Sequence, residues 1–199
     1  MKERPIIFSG AMVRALLAGT KTQTRRVVKP LPITLNRDTN SLEVDDENIA
    51  NGRFAKQVPC PYGQPGDRLW VREARWWFKD EPDHETGYYP PKLTVEDVEY
   101  RADGDDVRKV WRPSIFMPRW ASRITLEVTS VRVERLQDIS PNDCIAEGAW
   151  PVAHRELGRG HEAVAAYQAL WESINGPGSW DANPWVWVVE FRSVEVAAK

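Results

Sequence analysis

The chain has 199 residues, of which 42% are hydrophobic and 28% are charged, and its net charge is −2. This length is enough for one compact domain with a sizeable core, so we predict a single domain over residues 1–199. A net charge near zero argues against a general polyanion binder, and the absence of an 18-residue apolar run argues against a membrane protein. The first residues also lack the apolar stretch of a signal peptide, so we expect a cytoplasmic protein. The sequence leaves the oligomeric state open, and we favour a monomer.

Cys60 and Cys144 are the two cysteines, and they lie far apart with no CxxC spacing. Only three histidines, at positions 84, 154 and 161, are present to join them as metal ligands. Structural zinc sites and disulfide frameworks show paired spacings that this chain lacks. We therefore predict two buried free thiols, no metal site and no cofactor.

The first predicted element is a short amphipathic helix between Ser9 and Gly19. Serine is a favoured N-cap residue, and glycine commonly follows the last helical residue. The inner face is predicted to carry Met12, Val13, Leu16 and Leu17. A polar run, Thr20–Arg26, follows the end of this helix and supplies a lysine, three hydroxyls, one amide and two guanidinium groups. These groups include a possible nucleophile, a tunable amine and donors for an anion or a base edge.

Two polar segments separate the next predicted elements. Residues 31–57 show no sustained period, which predicts a mobile loop. The turn-rich segment Cys60–Asp67 opens into a short strand, Leu69–Glu73. Residues 79–106 carry ten carboxylates against three Lys and Arg, and we predict an acidic insertion there with one short strand near Val98–Tyr100.

Basic residues concentrate on either side of that acidic segment, in residues 1–30 and 108–135. This distribution favours a polarised surface that follows a phosphate backbone, although charge runs also simply solubilise a face. Ten tryptophans are present, and most are expected in the core. Trp111 and Trp120 stand beside Arg112 and Arg119, and this interleaving is typical of surfaces that stack single-stranded bases.

The remaining elements are two strands and two helices. Ile124, Leu126 and Val128 alternate, and the phase then slips near Thr129–Ser130, which predicts a bulge. Ser140 and Pro141 begin a very short helix that ends at Gly148 and carries Glu147 in its last turn. A longer helix is predicted from His161 to Asn175 with Trp171 on its inner face, and then a strand, Trp185–Arg192, with one strongly apolar face. Several strands and three helices indicate an α+β fold with a small, strongly bent sheet or barrel.

Five segments together resemble the ASCH domain, and more closely the tryptophan-rich ASCH proteins of bacterial and phage genomes. They are Gly19–Arg25, Gln64–Glu73, Ser114–Ala121, Ala146–Gly148 and Asn183–Val189. The resemblance implies a PUA-like β-barrel flanked by about three short helices. It also implies a modified cytidine nucleoside or single-stranded RNA as ligand, in a cleft beside the GxKxxT segment.

Smaller ASCH proteins are amidohydrolases that remove the acyl group from N4-acetylcytidine with a lysine, a threonine and a glutamate. The resemblance places these catalytic roles on Lys21, Thr24 and Glu147. The residues predicted to bind the ligand or RNA are Thr22, Arg25, Arg26, Glu73, Trp111, Arg112, Arg119 and Trp120. Phe116 stands where these relatives often have a histidine.

The chemistry of amide cleavage fits these residue types. Thr24 is the nucleophile if Lys21, with a pKa lowered by desolvation, takes the hydroxyl proton, while Glu147 serves the leaving amine. In a regular strand Lys21 and Thr24 point to opposite faces, so this pairing requires a turn near Thr22–Gln23. Glu73 is the rival carboxylate.

Three other interpretations of the same residues stay open. In the first, the threonines bond loop backbone and Lys21 only contacts phosphate. In the second, the chain is a non-catalytic RNA-binding module. The third is a ribonuclease, which lacks the histidine pair that acid-base phosphodiester cleavage favours.

Overall fold

The structure, a computed structural model, describes residues 1–29, 33–36, 41–44, 47, 49, 59–76, 93–149 and 160–196. In these residues the strands are β1 (Glu3–Ile7), β2 (Gln23–Val27), β3 (Ile33–Asn36), β4 (Ser41–Val44), β5 (Arg68–Arg72), β6 (Arg75–Trp76), β7 (Glu99–Tyr100), β8 (Ile124–Arg135) and β9 (Trp185–Val196). The α-helices are α1 (Gly10–Leu17), α2 (Pro141–Ala146) and α3 (Gly160–Asn175). Short 3₁₀ turns cover Val95–Asp97, Ser114–Phe116, Arg119–Ala121 and Leu136–Asp138.

Five strands form one mixed sheet in the order β1-β5-β8-β9-β2. β1 runs parallel to β5, and the other neighbours pair antiparallel. This sheet with its helices confirms the α+β class. Among the described strands, β1 and β2 are the two edges and no backbone ladder joins them, so the pairing does not form the closed barrel that the resemblance implied. The Arg26 guanidinium of β2 nevertheless donates to the Ile7 carbonyl of β1 at 2.6 Å, so the two edges approach each other.

The long pair β8 and β9 carries hydrophobic cores on both of its faces. Trp187 and Val189 of β9 pack in one core with residues of α1 and β1. Val186 and Val188, which point the other way, pack in a second core with side chains of α2 and α3. The prediction of one apolar face was therefore incomplete, because α3 covers the second face. The β8–β9 register shifts between Val128 and Ser130, which confirms the predicted bulge.

The predicted ends of α1 are confirmed, and one residue of its inner face is not. Met12 N donates to the Ser9 hydroxyl at 3.5 Å, and Gly19 has φ +70° just after the helix. Val13 and Leu16 are buried, but Leu17 lies at the last helical position and is 38% exposed.

The two predicted loop regions are described only in part. The expectation of an unstructured loop over residues 31–57 was wrong for β3 and β4, which pair as an antiparallel hairpin, and most of the remainder lies outside the described residues. The short strand expected near Val98–Tyr100 is β7, which pairs with β6. Residues 79–92 of the acidic insertion lie outside the described residues.

Cys60 and Cys144 are both buried free thiols, as predicted. Burial raises the pKa of Cys144 to about 12, so its thiolate is scarce near neutral pH. No group of three or more His, Cys, Asp or Glu side chains that could hold a metal ion is found in the described residues. No helix among them is long and apolar enough to cross a membrane.

Candidate functional site

The turn between α1 and β2 positions Lys21. The backbone N–H groups of Thr20 and Lys21 both donate to the Ala15 carbonyl, at 2.9 and 3.1 Å, once Gly19 has ended the helix. Since β2 begins only at Gln23, Lys21 lies in the turn and not in the strand. The alternation that would separate Lys21 from Thr24 in a regular strand therefore does not apply.

Helix α2 positions Glu147 beside that turn. Ser140 caps the helix, with its hydroxyl accepting from Asp143 N at 3.1 Å, and Glu147 is the residue that ends it. Gly148 follows with φ +75°, and a Cβ there would lie only 2.8 Å from the Ala15 Cβ. Glycine is thus required for the end of α2 to pack against the end of α1.

Lys21 and Glu147 form a buried ion pair. The Lys21 Nζ donates to Glu147 Oε2 at 3.0 Å and to the backbone carbonyls of Gln23 and Glu147, each at 2.8 Å. Three acceptors match the three N–H groups of an ammonium, so this geometry is that of the protonated lysine. Burial of the side chain, which is 0% exposed, lowers the pKa of Lys21, and the attraction of the Glu147 carboxylate opposes that shift.

Arg25 holds the other oxygen of the same carboxylate. Its Nη1 donates to Glu147 Oε1 at 3.2 Å, and its remaining donors contact Glu134 and Asp143. The Arg25 side chain is 0% exposed, although Arg25 is among the residues that line the cavity described next, so direct binding of the ligand by Arg25 stays a prediction. Arg25 fixes the orientation of Glu147, and Lys21 and Arg25 together leave that carboxylate a single position.

A narrow cavity of about 50 Å³ opens beside this pair. Thr24 and Glu147 line it, and so does Tyr167 of α3. Thr24 is 2% exposed and Tyr167 is 3% exposed, and within the part of the chain that the structure describes neither hydroxyl forms a hydrogen bond. Two fully buried nitrogens of cavity-lining residues, Arg26 Nε and Trp171 Nε1, also have no hydrogen-bond partner. Buried polar groups are almost always paired, so unpaired polar atoms at one cavity indicate a place for a small polar group of a ligand or for water.

Sequence reasoning missed Tyr167, because its spacing with Trp171 predicts only a core-facing position. The structure does bury it in the second core, where its ring centroid lies 6.3 Å from that of Trp171 and 6.3 Å from that of Trp180. A tyrosine in a core stripe needs a partner for its hydroxyl, which phenylalanine would not. That requirement was the signal available in the sequence.

A comparison with protein-family models finds no match for this chain. A search of curated proteins also finds no match. Among solved structures, the chain is similar to protein EF3133 from Enterococcus faecalis V583, a DUF984 protein, with a TM-score of 0.44 and 10% identity over 100% of this chain and 84% of that one. A likeness of this size carries no argument about fold or activity, so function must be argued from the residues of the site.

Glu73, the rival carboxylate, lies in a separate buried network and does not line the cavity. Both of its oxygens accept from Arg123, at 3.0 Å each, and Arg123 also donates twice to Asp103 at 2.8 Å. The Tyr100 hydroxyl nearby donates to the Ala121 carbonyl at 2.9 Å. Every charged group of this network has a protein partner, although the Asp103 carboxylate is 37% exposed at its edge, and we call it the closed network in this sense.

The predicted aromatic and arginine contacts also lie away from the cavity. Trp120 is 43% exposed, whereas Trp111 is half-buried. Arg119 donates to Glu3 at 3.1 Å and to the Thr125 hydroxyl at 3.3 Å. The backbone of Arg112 pairs with that of Arg75 in an isolated bridge. None of these predicted contacts is brought to Lys21 by the fold.

The last two predicted contacts flank the site. Arg26 lines the cavity, with its guanidinium 5.5 Å from the centroid of the Phe8 ring. Thr22 is exposed and lines a separate open groove of about 520 Å³, while its backbone N–H donates to the Ala146 carbonyl at 2.8 Å.

The second basic segment is extensively paired with carboxylates. Arg108 contacts Asp106 at 3.0 Å, and Arg132 contacts Glu134 at 3.0 Å. Lys109 pairs with Glu99. These local pairs neutralise much of the positive charge that the sequence pattern suggested for a phosphate track.

Proposed function

We propose that this chain binds an N4-acylcytidine, as a free nucleoside or within RNA, and hydrolyses its amide with Lys21, Thr24 and Glu147. One observation carries the proposal: Thr24, a buried residue whose hydroxyl forms no hydrogen bond within the described residues, shares a cavity with Glu147, whose carboxylate is hydrogen-bonded to a buried Lys21. These are the three residues that the ASCH resemblance selects. The near approach of β1 and β2 also supports a PUA-like arrangement of the sheet.

The first step of the proposed reaction is a proton shift within the ion pair. The Lys21 Nζ gives its proton to Glu147 Oε2 over 3.0 Å, which converts an ammonium and a carboxylate into a neutral amine and a neutral acid. Burial of the ammonium lowers the pKa of Lys21, which eases the release of this proton. The lysine then has a free lone pair.

The second step forms the acyl-enzyme. Thr24 Oγ1 attacks the acyl carbonyl carbon and its proton passes to the Lys21 amine, which becomes an ammonium again. The C–N bond of the amide breaks, and the leaving cytosine amine takes the proton held by Glu147. Cytidine leaves, and the acyl group stays on Thr24 as an ester.

Water completes the cycle. It adds to the ester carbonyl, one of its protons returns through the Lys21–Glu147 pair to the Thr24 oxygen, and the carboxylic acid leaves. The narrow cavity supports this step, because it admits a group the size of one or two waters beside Thr24.

The test is hydrolysis of a panel of N4-acylcytidines, followed by loss of the acyl chromophore. Thr24→Val keeps the shape of the side chain and removes the nucleophile, so kcat should fall at least about 1000-fold. Thr22→Val is the matched control, because Thr22 is exposed and two positions away. An active Thr24→Val enzyme, or a wild-type protein that cleaves no member of the panel, would overturn the proposal.

A second candidate function is a non-catalytic module for single-stranded RNA. The observation that favours it is the exposure of aromatic rings on the two 3₁₀ turns, where Phe116 is 70% and Trp120 is 43% exposed. Exposed rings beside arginines stack successive bases. Binding of single-stranded RNA without any acyl hydrolysis would favour this function over the first.

A further inference from the structure

Tyr167 is a polar residue at the cavity to which neither the sequence pattern nor the catalytic triad gives a role. It projects from α3, the helix that covers the second face of the sheet, into a cavity lined also by Thr24 and Glu147. Its ring is held by contacts with Trp171 and Trp180, so the direction of the hydroxyl is fixed by packing. A fixed donor is what a preorganised site requires.

The chemical state of this hydroxyl is also fixed. Burial raises the pKa of Tyr167 far above its ordinary value of 10, and the nearby Glu147 carboxylate raises it further. The phenol therefore keeps its proton throughout the pH range in which enzymes work. It is a hydrogen-bond donor that has no acceptor among the described residues.

We propose that the Tyr167 hydroxyl donates a hydrogen bond to the acyl oxygen of the bound N4-acylcytidine and stabilises the oxyanion formed when Thr24 attacks. This inference rests on the proposed hydrolase function. The attack needs a donor near the carbonyl oxygen, because negative charge develops there as the tetrahedral intermediate forms. Lys21 and Arg25 cannot supply it readily, since their donors are directed at Glu147 and other protein acceptors. Tyr167 is thus a catalytic residue supplied by α3.

The test is Tyr167→Phe, which removes one hydroxyl and leaves the ring. Loss of one oxyanion donor lowers kcat by about 100-fold or more, with a smaller change in KM, because the bond strengthens in the transition state. Tyr100→Phe is the matched control: it removes the hydroxyl of another buried tyrosine, one that does not line the cavity. Its kcat should stay within about threefold of wild type, and thermal unfolding of both variants checks that they are folded.

An N4-thioacetylcytidine substrate separates a hydrogen bond to the acyl oxygen from a structural role. Sulfur accepts hydrogen bonds weakly, so the wild-type to Tyr167→Phe ratio of kcat should fall from about 100 towards 1 with this substrate. A ratio that is the same for oxygen and sulfur substrates would overturn the inference, and so would full activity of Tyr167→Phe on the oxygen substrate. A wild-type protein that cleaves neither substrate would instead overturn the proposed function itself, and this inference with it.

Discussion

The fold contains two charged networks, one around Glu73 and one around Glu147. They differ in whether polar groups beside them lack a hydrogen-bond partner. Around Glu73, the carboxylate, Arg123, Asp103 and the Tyr100 hydroxyl all have protein partners. Around Glu147, the ions are paired just as well, but the adjoining cavity is lined by Thr24 and Tyr167, whose hydroxyls form no hydrogen bond in the described part of the chain. Buried charge alone therefore does not mark a functional site, because a closed network needs nothing from outside.

The largest effect expected from this comparison is the loss of hydrolysis when the Lys21 amine is removed. Lys21→Met removes the amine and Lys21→Arg keeps the positive charge, and both should lower kcat at least about 1000-fold. A guanidinium does not release a proton at working pH, so arginine cannot take the proton of Thr24. The measurement is single-turnover hydrolysis, with nucleoside affinity expected within about tenfold of wild type. An active Lys21→Arg enzyme would show that the lysine acts only as a charge, like Arg123 in the closed network.

The local elements that position the site could be predicted from the sequence. The full set of residues that meet at the site could not. Ser9, Gly19 and Gly148 are capping residues whose preferences are local, so the ends of α1 and α2 follow from them. The contribution of Tyr167 depends on how α3 packs against β9, a long-range contact that periodicity does not encode. The partners of Arg25 depend on long-range packing in the same way.

The same limit applies to the prediction of a polarised basic surface, which stays a prediction. The number of basic residues in 108–135 can be read from the sequence, but the carboxylates that lie next to them in the fold cannot. Arg119 meets Glu3 across more than a hundred residues, and Arg123 meets Glu73 across fifty. Such pairs form only once β1, β5 and β8 are assembled in one sheet.

The next effect is on stability and should separate the two carboxylates. Glu73→Gln breaks a buried ion pair and should lower the free energy of unfolding by about 3 kcal/mol, with kcat unchanged for the folded fraction. Glu147→Gln should cost a similar amount and also lower kcat at least about 100-fold. Urea unfolding and hydrolysis assays measure the two effects. If Glu73→Gln abolished hydrolysis in a folded protein, the rival carboxylate would take the place of Glu147.

A smaller effect would show whether the region of the closed network has a function of its own. The backbone of this region carries the turns that expose Phe116 and Trp120. If bases stack there, Trp120→Ala should weaken single-stranded RNA binding by about 1 to 3 kcal/mol at any salt concentration. Arg119→Ala should flatten the plot of log affinity against log salt by about one if it contacts phosphate.

Fluorescence anisotropy across a salt series measures both the loss of affinity in Trp120→Ala and the change of slope in Arg119→Ala. Val110→Ala is the control, because Val110 is 84% exposed and has no ring to stack. No RNA binding even at low salt would leave the region with a structural role alone, and the cavity lined by Thr24 and Glu147 as the candidate site.

The smallest effect is the pH dependence that the buried lysine adds to stability. The pKa of Lys21 is lowered in the folded protein, chiefly by burial, from an ordinary value of 10.5. Between the two values the unfolded chain binds more protons than the folded one, so the free energy of unfolding rises with pH across that window. For one group the slope cannot exceed about 1.4 kcal/mol per pH unit. Urea unfolding of wild type and Lys21→Met from pH 7 to 10 isolates this contribution, because the other titrating groups are shared. The free energy of unfolding of wild type should rise relative to that of Lys21→Met as the pH rises. A shift in the opposite direction would mean that the Glu147 attraction outweighs burial, and Lys21 would then be held as a permanent ammonium that cannot serve as the base.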